Sequence, residues 1–111
     1  LAAEVAGATR DAAPELAAEA ELARRTIAHA TSWLLETSMR APLEVEAGGR
    51  RLALTLGRAT QLALLVGHAS WAIANGGDRR SATAAKLFAR RGIDLIEEAP
   101  LEGLAALAND A

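Results

Sequence analysis

Apolar side chains recur at Leu16, Ala20, Ala23, Ile27, Ala30 and Leu34, stepping by four and three. That spacing holds them on one face of an α-helix and, being close to a heptad, suits packing against another helix. Pro14 fits a first helical position, where a missing N–H costs nothing. Glu15, Glu19 and Glu21 fall in the first turns and Arg40 near the end, so both ends oppose the helix dipole. Glu21 and Arg25 add an i,i+4 pair. A helix is predicted over 14–40.

The pattern then breaks. Pro42 disfavours helix at Ala41, and Gly48–Gly49 loosens the chain, so 41–49 reads as a connection. A second helix is predicted over 50–75, stopped by Gly76–Gly77. Its first half keeps a polar stripe at Arg51, Thr55 and Arg58, whereas Leu62 to Ala74 is apolar nearly all round, as in a helix buried between neighbours. Gly57 and Gly67 would let another backbone approach, each at roughly 1 kcal/mol of helix propensity against alanine. No charge occurs from Ala59 to Gly77, but Gln61, His68, Ser70 and Asn75 interrupt that run, which reads as a core helix rather than a membrane span.

A third helix is predicted over 78–97, with Asp78 or Ser81 able to cap it and with Ala84 or Ala85, Phe88, Leu95 and Ile96 on its apolar side. A short helix is expected at 101–108, after Pro100. Residues 1–13, alanine-rich with Gly7, read as a frayed lead-in. The expected architecture is all-α: one domain over 1–111, an antiparallel bundle of three long helices. Its fourth helix would come from the N-terminal segment, the tail or a partner chain.

Composition supports this class. The 111 residues include 29 alanines, no tyrosine and one phenylalanine, which favours helix over sheet. A chain of this length buries about two thirds of its unfolded surface. Cysteine is absent, which removes disulfide and thiolate chemistry and suits a cytoplasmic location. The net charge of −2 with scarce aromatics gives no reason to expect nucleic-acid binding. The chain opens on Leu1 rather than methionine, without a charged leader and apolar run, and is expected to be a piece of a longer protein.

Candidate chemistry is sparse. A dimetal bundle needs Glu-x-x-His, but Thr26 and Leu65 stand three residues before His29 and His68, so no metal ligands are assigned. The Gly-Gly stretches lack the spacing of a phosphate loop, and no Ser/His/Asp arrangement is evident. Four Arg-Arg pairs, 24–25, 50–51, 79–80 and 90–91, are read as solvated helix faces with ion pairs to the acids. If any touches a phosphate, Arg79–Arg80 and Arg90–Arg91 are the first choices.

The run "RRLALTLGRATQLALLVGHASWAI", a Gly-Gly turn and "RRSATAAKLFARRGIDLI" together resemble the last helices of the acyl-CoA dehydrogenase superfamily, nearest its alkylation-response flavoprotein branch. The resemblance covers about residues 50–96. It implies a C-terminal helical bundle of a FAD-dependent oxidoreductase acting on an acyl-CoA-type substrate. Such a bundle packs against the flavin and acyl-CoA site and contributes to a dimer or tetramer interface. Two family features do not carry over. Glu102-Gly103 follows Leu101 rather than tyrosine, so no catalytic base is assigned, and the arginine-glutamine-phenylalanine segment that touches the flavin diphosphate is missing. No cofactor-binding residue is assigned either, and the fragment alone is expected to be catalytically silent and free of cofactor. The alternative is a free-standing helical dimerisation or scaffold module.

The only histidines and tryptophans form two echoes, His29 with Trp33 and His68 with Trp71. Each pair lies on one side of its helix, which reads as an indole anchored in the core with an imidazole at its rim. About a turn near residue 45, His29 falls opposite residue 61, so the two pairs are not expected to share one site.

Overall fold

The structure, a computed structural model, describes residues 1–40 and 42–96. The expected helix 101–108, the end of the expected helix 78–97 and the segment around Glu102 lie outside them. The described chain is all-α: α1 (Ala2–Thr9), a 3-10 turn (Pro14–Leu16), α2 (Ala17–Arg40), α3 (Pro42–Asn75) and α4 (Arg80–Arg90). Helices α2 and α3 form a long antiparallel hairpin; α1 packs on both, and α4 packs mainly on α3. The molecule is elongated, 56 × 30 × 19 Å. A 34-residue α3 accounts for most of that length, at about 1.5 Å per residue.

The stripe on α2 is the core seam. Leu16, Ala20, Ala23 and Ile27 are buried in one cluster with Ala59, Leu62, Ala63, Val66 and Ala69 of α3, and Ala30 further along the stripe is buried too. Each fully buried Leu or Val side chain stabilises the fold by roughly 1.5–3 kcal/mol. Alanine on both faces lets α2 and α3 approach closely.

Residues 1–13 are not frayed throughout. They supply α1, anchored by buried Val5 and Thr9. The Thr9 hydroxyl donates to the Val5 carbonyl at 2.7 Å. Arg24 reaches from α2 to the end of α1, with Nη1 3.2 Å from Thr9 Oγ1 and 3.5 Å from its carbonyl oxygen. A cation there complements the dipole at a helix C-terminus. Gly67 makes the approach possible: a Cβ on it would stand 2.8 Å from the Ala8 carbonyl oxygen. Gly57, by contrast, faces open space.

The connection expected at 41–49 is helical from Pro42 onward. Proline in the first turn lacks only an N–H that has no helical acceptor, and Glu44 opposes the dipole. Gly48 is therefore a packing residue rather than a turn residue. The Trp33 indole lies over it, and a Cβ on Gly48 would stand 2.5 Å from that ring.

The helix expected to reach residue 97 stops at Arg90. Gly92 adopts the left-handed conformation, φ +83°, that ends helices. Residues 92–96 then cross the bundle as a strap. Ile93 and Ile96 are buried. Arg58 Nη1 donates to the Gly92 carbonyl at 3.1 Å, and Thr55 Oγ1 accepts the Leu95 N–H at 2.9 Å. At the other end of α4, Gly77 (φ +76°) closes α3, its N–H bonding the Ala72 carbonyl.

Candidate functional site

Polar chemistry concentrates at two places. The first is a wide groove between the start of α2 and α4, about 370 Å³, lined by Glu15, Ala18, Glu19, Lys86, Ala89 and Arg90. Local structure sets its walls. Ser70 Oγ accepts the Ala13 N–H at 2.9 Å, fixing the chain just before Pro14. Glu15, on the 3-10 turn, and Glu19, in the first turn of α2, stand on one wall; Lys86 and Arg90, four apart on α4, share a helix face on the other. Arg79, from the α3–α4 turn, grips both carboxylate oxygens of Glu15.

Two carboxylates against two cations leave the groove without excess positive charge. A phosphate entering it meets Glu15 and Glu19 as well as Lys86 and Arg90. Of the arginines singled out as phosphate candidates, Arg79 is taken by Glu15 and Arg80 by Asp78, while Arg90 alone lines the groove. The Asp78 carboxyl is held below the usual aspartate range, first by its hydrogen bond from the Arg80 side chain and then by the Arg80 backbone N–H. Arg80 is raised in turn by that bond. This exposed pair secures the start of α4.

The second place is the strap. His29 Nδ1 lies 2.5 Å from Asp94 Oδ2, while Asp94 Oδ1 accepts the Ile96 N–H at 3.0 Å. A histidine–carboxylate pair is only two of the three members of a nucleophilic triad. Here the pair fastens the strap to α2. The sequence does not single out Asp94; only its place after a stopping glycine hints that the chain turns back there.

The two His/Trp echoes have different neighbours: His29 meets Asp94, while His68 stacks on Trp71 of its own helix, centroids 6.3 Å apart. Trp71 is 64% exposed, so it is not the core anchor expected. Trp33 is partly buried over Gly48.

Among the described residues no group of three His, Cys, Asp or Glu side chains is placed to hold a metal ion, and no helix is long and apolar enough to cross a membrane. Neither polar site fits a flavin by itself. The groove lining has no aromatic ring to stack on isoalloxazine and no glycine-rich turn for a diphosphate.

Comparison with known proteins gives one family. The model described as acyl-CoA dehydrogenase 11 C-terminal domain-like matches residues 2–96. No curated protein and no solved structure matches the chain significantly.

Proposed function

The chain belongs to the acyl-CoA dehydrogenase 11 C-terminal domain-like family, and from this we propose that it is the C-terminal bundle domain of a longer FAD-dependent, acyl-CoA dehydrogenase-like oxidoreductase. In that protein it contributes to the oligomer interface and packs against the flavin and acyl-CoA site, without catalysing alone. The observation that carries the reading is the family match over nearly the whole described chain. The distribution of chemistry supports it. The groove is charge-balanced, the His29–Asp94 pair fastens a strap, and large apolar side chains stand exposed along the hairpin at Leu35, Met39, Leu43, Leu64 and Trp71. Contact surface, rather than a reacting constellation, is what the domain presents.

When bound, FAD would supply the hydride-accepting chemistry, from residues upstream of this chain. These residues would pack against that site and exclude water from it. A cytoplasmic location accords with a cysteine-free chain. The test is to express the complete reading frame that contains this chain. The expected product carries flavin absorption that bleaches on adding an acyl-CoA substrate. A colourless protein that takes up no added FAD contradicts the reading. A start codon close to Leu1 would point instead to a free-standing scaffold.

A further inference from the structure

The strap covers core without belonging to a helix. Residues 92–96 have no regular structure, yet Ile93 sits in the main cluster with Ala59 and Leu62, and Ile96 is buried beside them in sequence. Three side-chain ties between described residues hold this segment to α2 and α3: Arg58 to the Gly92 carbonyl, the Leu95 N–H to Thr55, and His29 to Asp94. The first keeps its charge at any physiological pH, and the second has none to lose. Only the third changes charge between about pH 5 and 8.

We propose that the His29–Asp94 pair makes the strap a pH-operated latch, held down when the imidazole is protonated and lifted more often when it is neutral. Nδ1 lies 2.5 Å from Asp94 Oδ2, and a carboxylate only accepts, so the proton on Nδ1 belongs to this contact and the one on Nε2 is lost first. Deprotonation therefore leaves the hydrogen bond and removes the attraction of opposite charges, which loosens the latch rather than opening it outright. Asp94 couples that change to the backbone. Its Oδ1 accepts the Ile96 N–H, so the carboxylate that meets the imidazole also orders the chain over a buried isoleucine. The two side chains keep only 26% and 30% of their exposure, so solvent screens them less than it would a surface pair.

The other charged groups on these elements are arranged around that contact. Arg25 stands one turn before His29 on α2 and Glu36 two turns after it; Arg51 and Arg58 lie on α3, and Arg90 and Arg91 close α4. All but Arg58 are exposed, and Arg58 is turned to the Gly92 carbonyl. Glu97 and Glu98 follow Ile96 in sequence and carry the same sign as Asp94. The group in direct contact with the ring is thus a carboxylate, which favours the imidazolium in the closed state. Such a histidine contributes closing stability that is complete below its free value near 6.5 and is lost as pH rises through its closed-state value. The strap is tightest in mildly acidic solution and loosens towards pH 8. For a pair of this exposure the change in the closed-to-lifted ratio is about fivefold.

The test is NMR on the whole chain, with two readouts. The titration midpoint of the His29 ring should fall by about 0.7 pH unit in Asp94→Asn, which is the same fivefold. Amide exchange, corrected for base catalysis, should show the Leu95 N–H opening about fivefold more often at pH 8 than at pH 5.5, a change that the Val66 amide in the core of α3 does not follow. In His29→Gln and in Asp94→Asn this pH dependence should vanish while helical circular dichroism is unchanged. A midpoint that is the same in the parent and in Asp94→Asn overturns the latch, as does a Leu95 opening constant that ignores pH. A midpoint that falls only when Glu97→Gln and Glu98→Gln are combined also overturns it, since the ring would then answer to the following segment and not to the strap. The latch does not rest on the flavin reading, which stands or falls on the complete protein.

Discussion

The two ends of the α2–α3 hairpin are built differently. At the closed end, α1, α4 and the strap wrap the hairpin, and ties between distant residues cross it: Ala13 to Ser70, Glu15 to Arg79, Leu95 to Thr55 and His29 to Asp94. At the other end, α2 and α3 face only each other among the described elements. Trp33 covers Gly48, Thr37 is buried, and Met39 and Leu43 stand 87% and 81% exposed. The contrast lies in the ties rather than in the apolar surface. Large apolar side chains stand exposed at both ends, Leu64 and Trp71 at the closed one and Met39 and Leu43 on the arm, but only the closed end is crossed by hydrogen bonds between distant residues.

The sharpest way to break this comparison is to cut a side chain from each end. Leu62→Ala empties a fully buried position and should cost about 2–5 kcal/mol in chemical denaturation. Leu43→Ala on the arm should stay within about 0.5 kcal/mol. Equal losses would show that the arm is as tightly packed as the core.

Glycines give the next contrast. Gly67→Ala drives a methyl against the Ala8 backbone and should destabilise by about 1–3 kcal/mol, with α1 displaced. Gly57→Ala enters open space and should stabilise by up to about 1 kcal/mol through helix propensity. Thermal melts distinguish the two signs.

The strap is probed by a double-mutant cycle on His29→Gln and Asp94→Asn. Both side chains are about two thirds or more buried, and a coupling of about 1 kcal/mol is expected. No coupling would mean that Ile93 and the backbone bonds hold the strap alone. The smallest effect is at Asp78. Its carboxyl is lowered in the folded state, so its contribution is present above the unfolded value near 3.9 and is lost as pH falls through the folded value. Asp78→Asn should lower the melting temperature slightly at neutral pH, and the difference from the parent chain should vanish as pH falls below about 4.

Much of the closed end was legible in sequence because its periodicity is strong. The α2 stripe is buried from Leu16 to Ala30 as its spacing requires, and Gly76–Gly77 ends α3, but the stretch from Leu62 to Ala74, expected to be buried nearly all round, keeps one exposed face with Leu64, Trp71 and Ala74 on it. What escaped was context. Pro42 reads as a break and is also a helix start. Gly48 reads as a turn until Trp33 is seen above it, a contact between residues on different helices. Leu95 and Ile96 extend the α4 pattern on paper, but Gly92 reverses the chain first. Trp71 looks like core by composition, yet it falls off the face defined by Leu62, Val66 and Ala69. The groove joins Glu15 to Arg90 across most of the chain, and no local pattern predicts that.

Residue-resolved amide hydrogen exchange on the chain tests the division most directly. The account predicts that 59–73 of α3 exchange only through global unfolding, while 31–40 and 42–54 exchange much faster through local opening of the arm. Equal protection along the whole of α3 would contradict it.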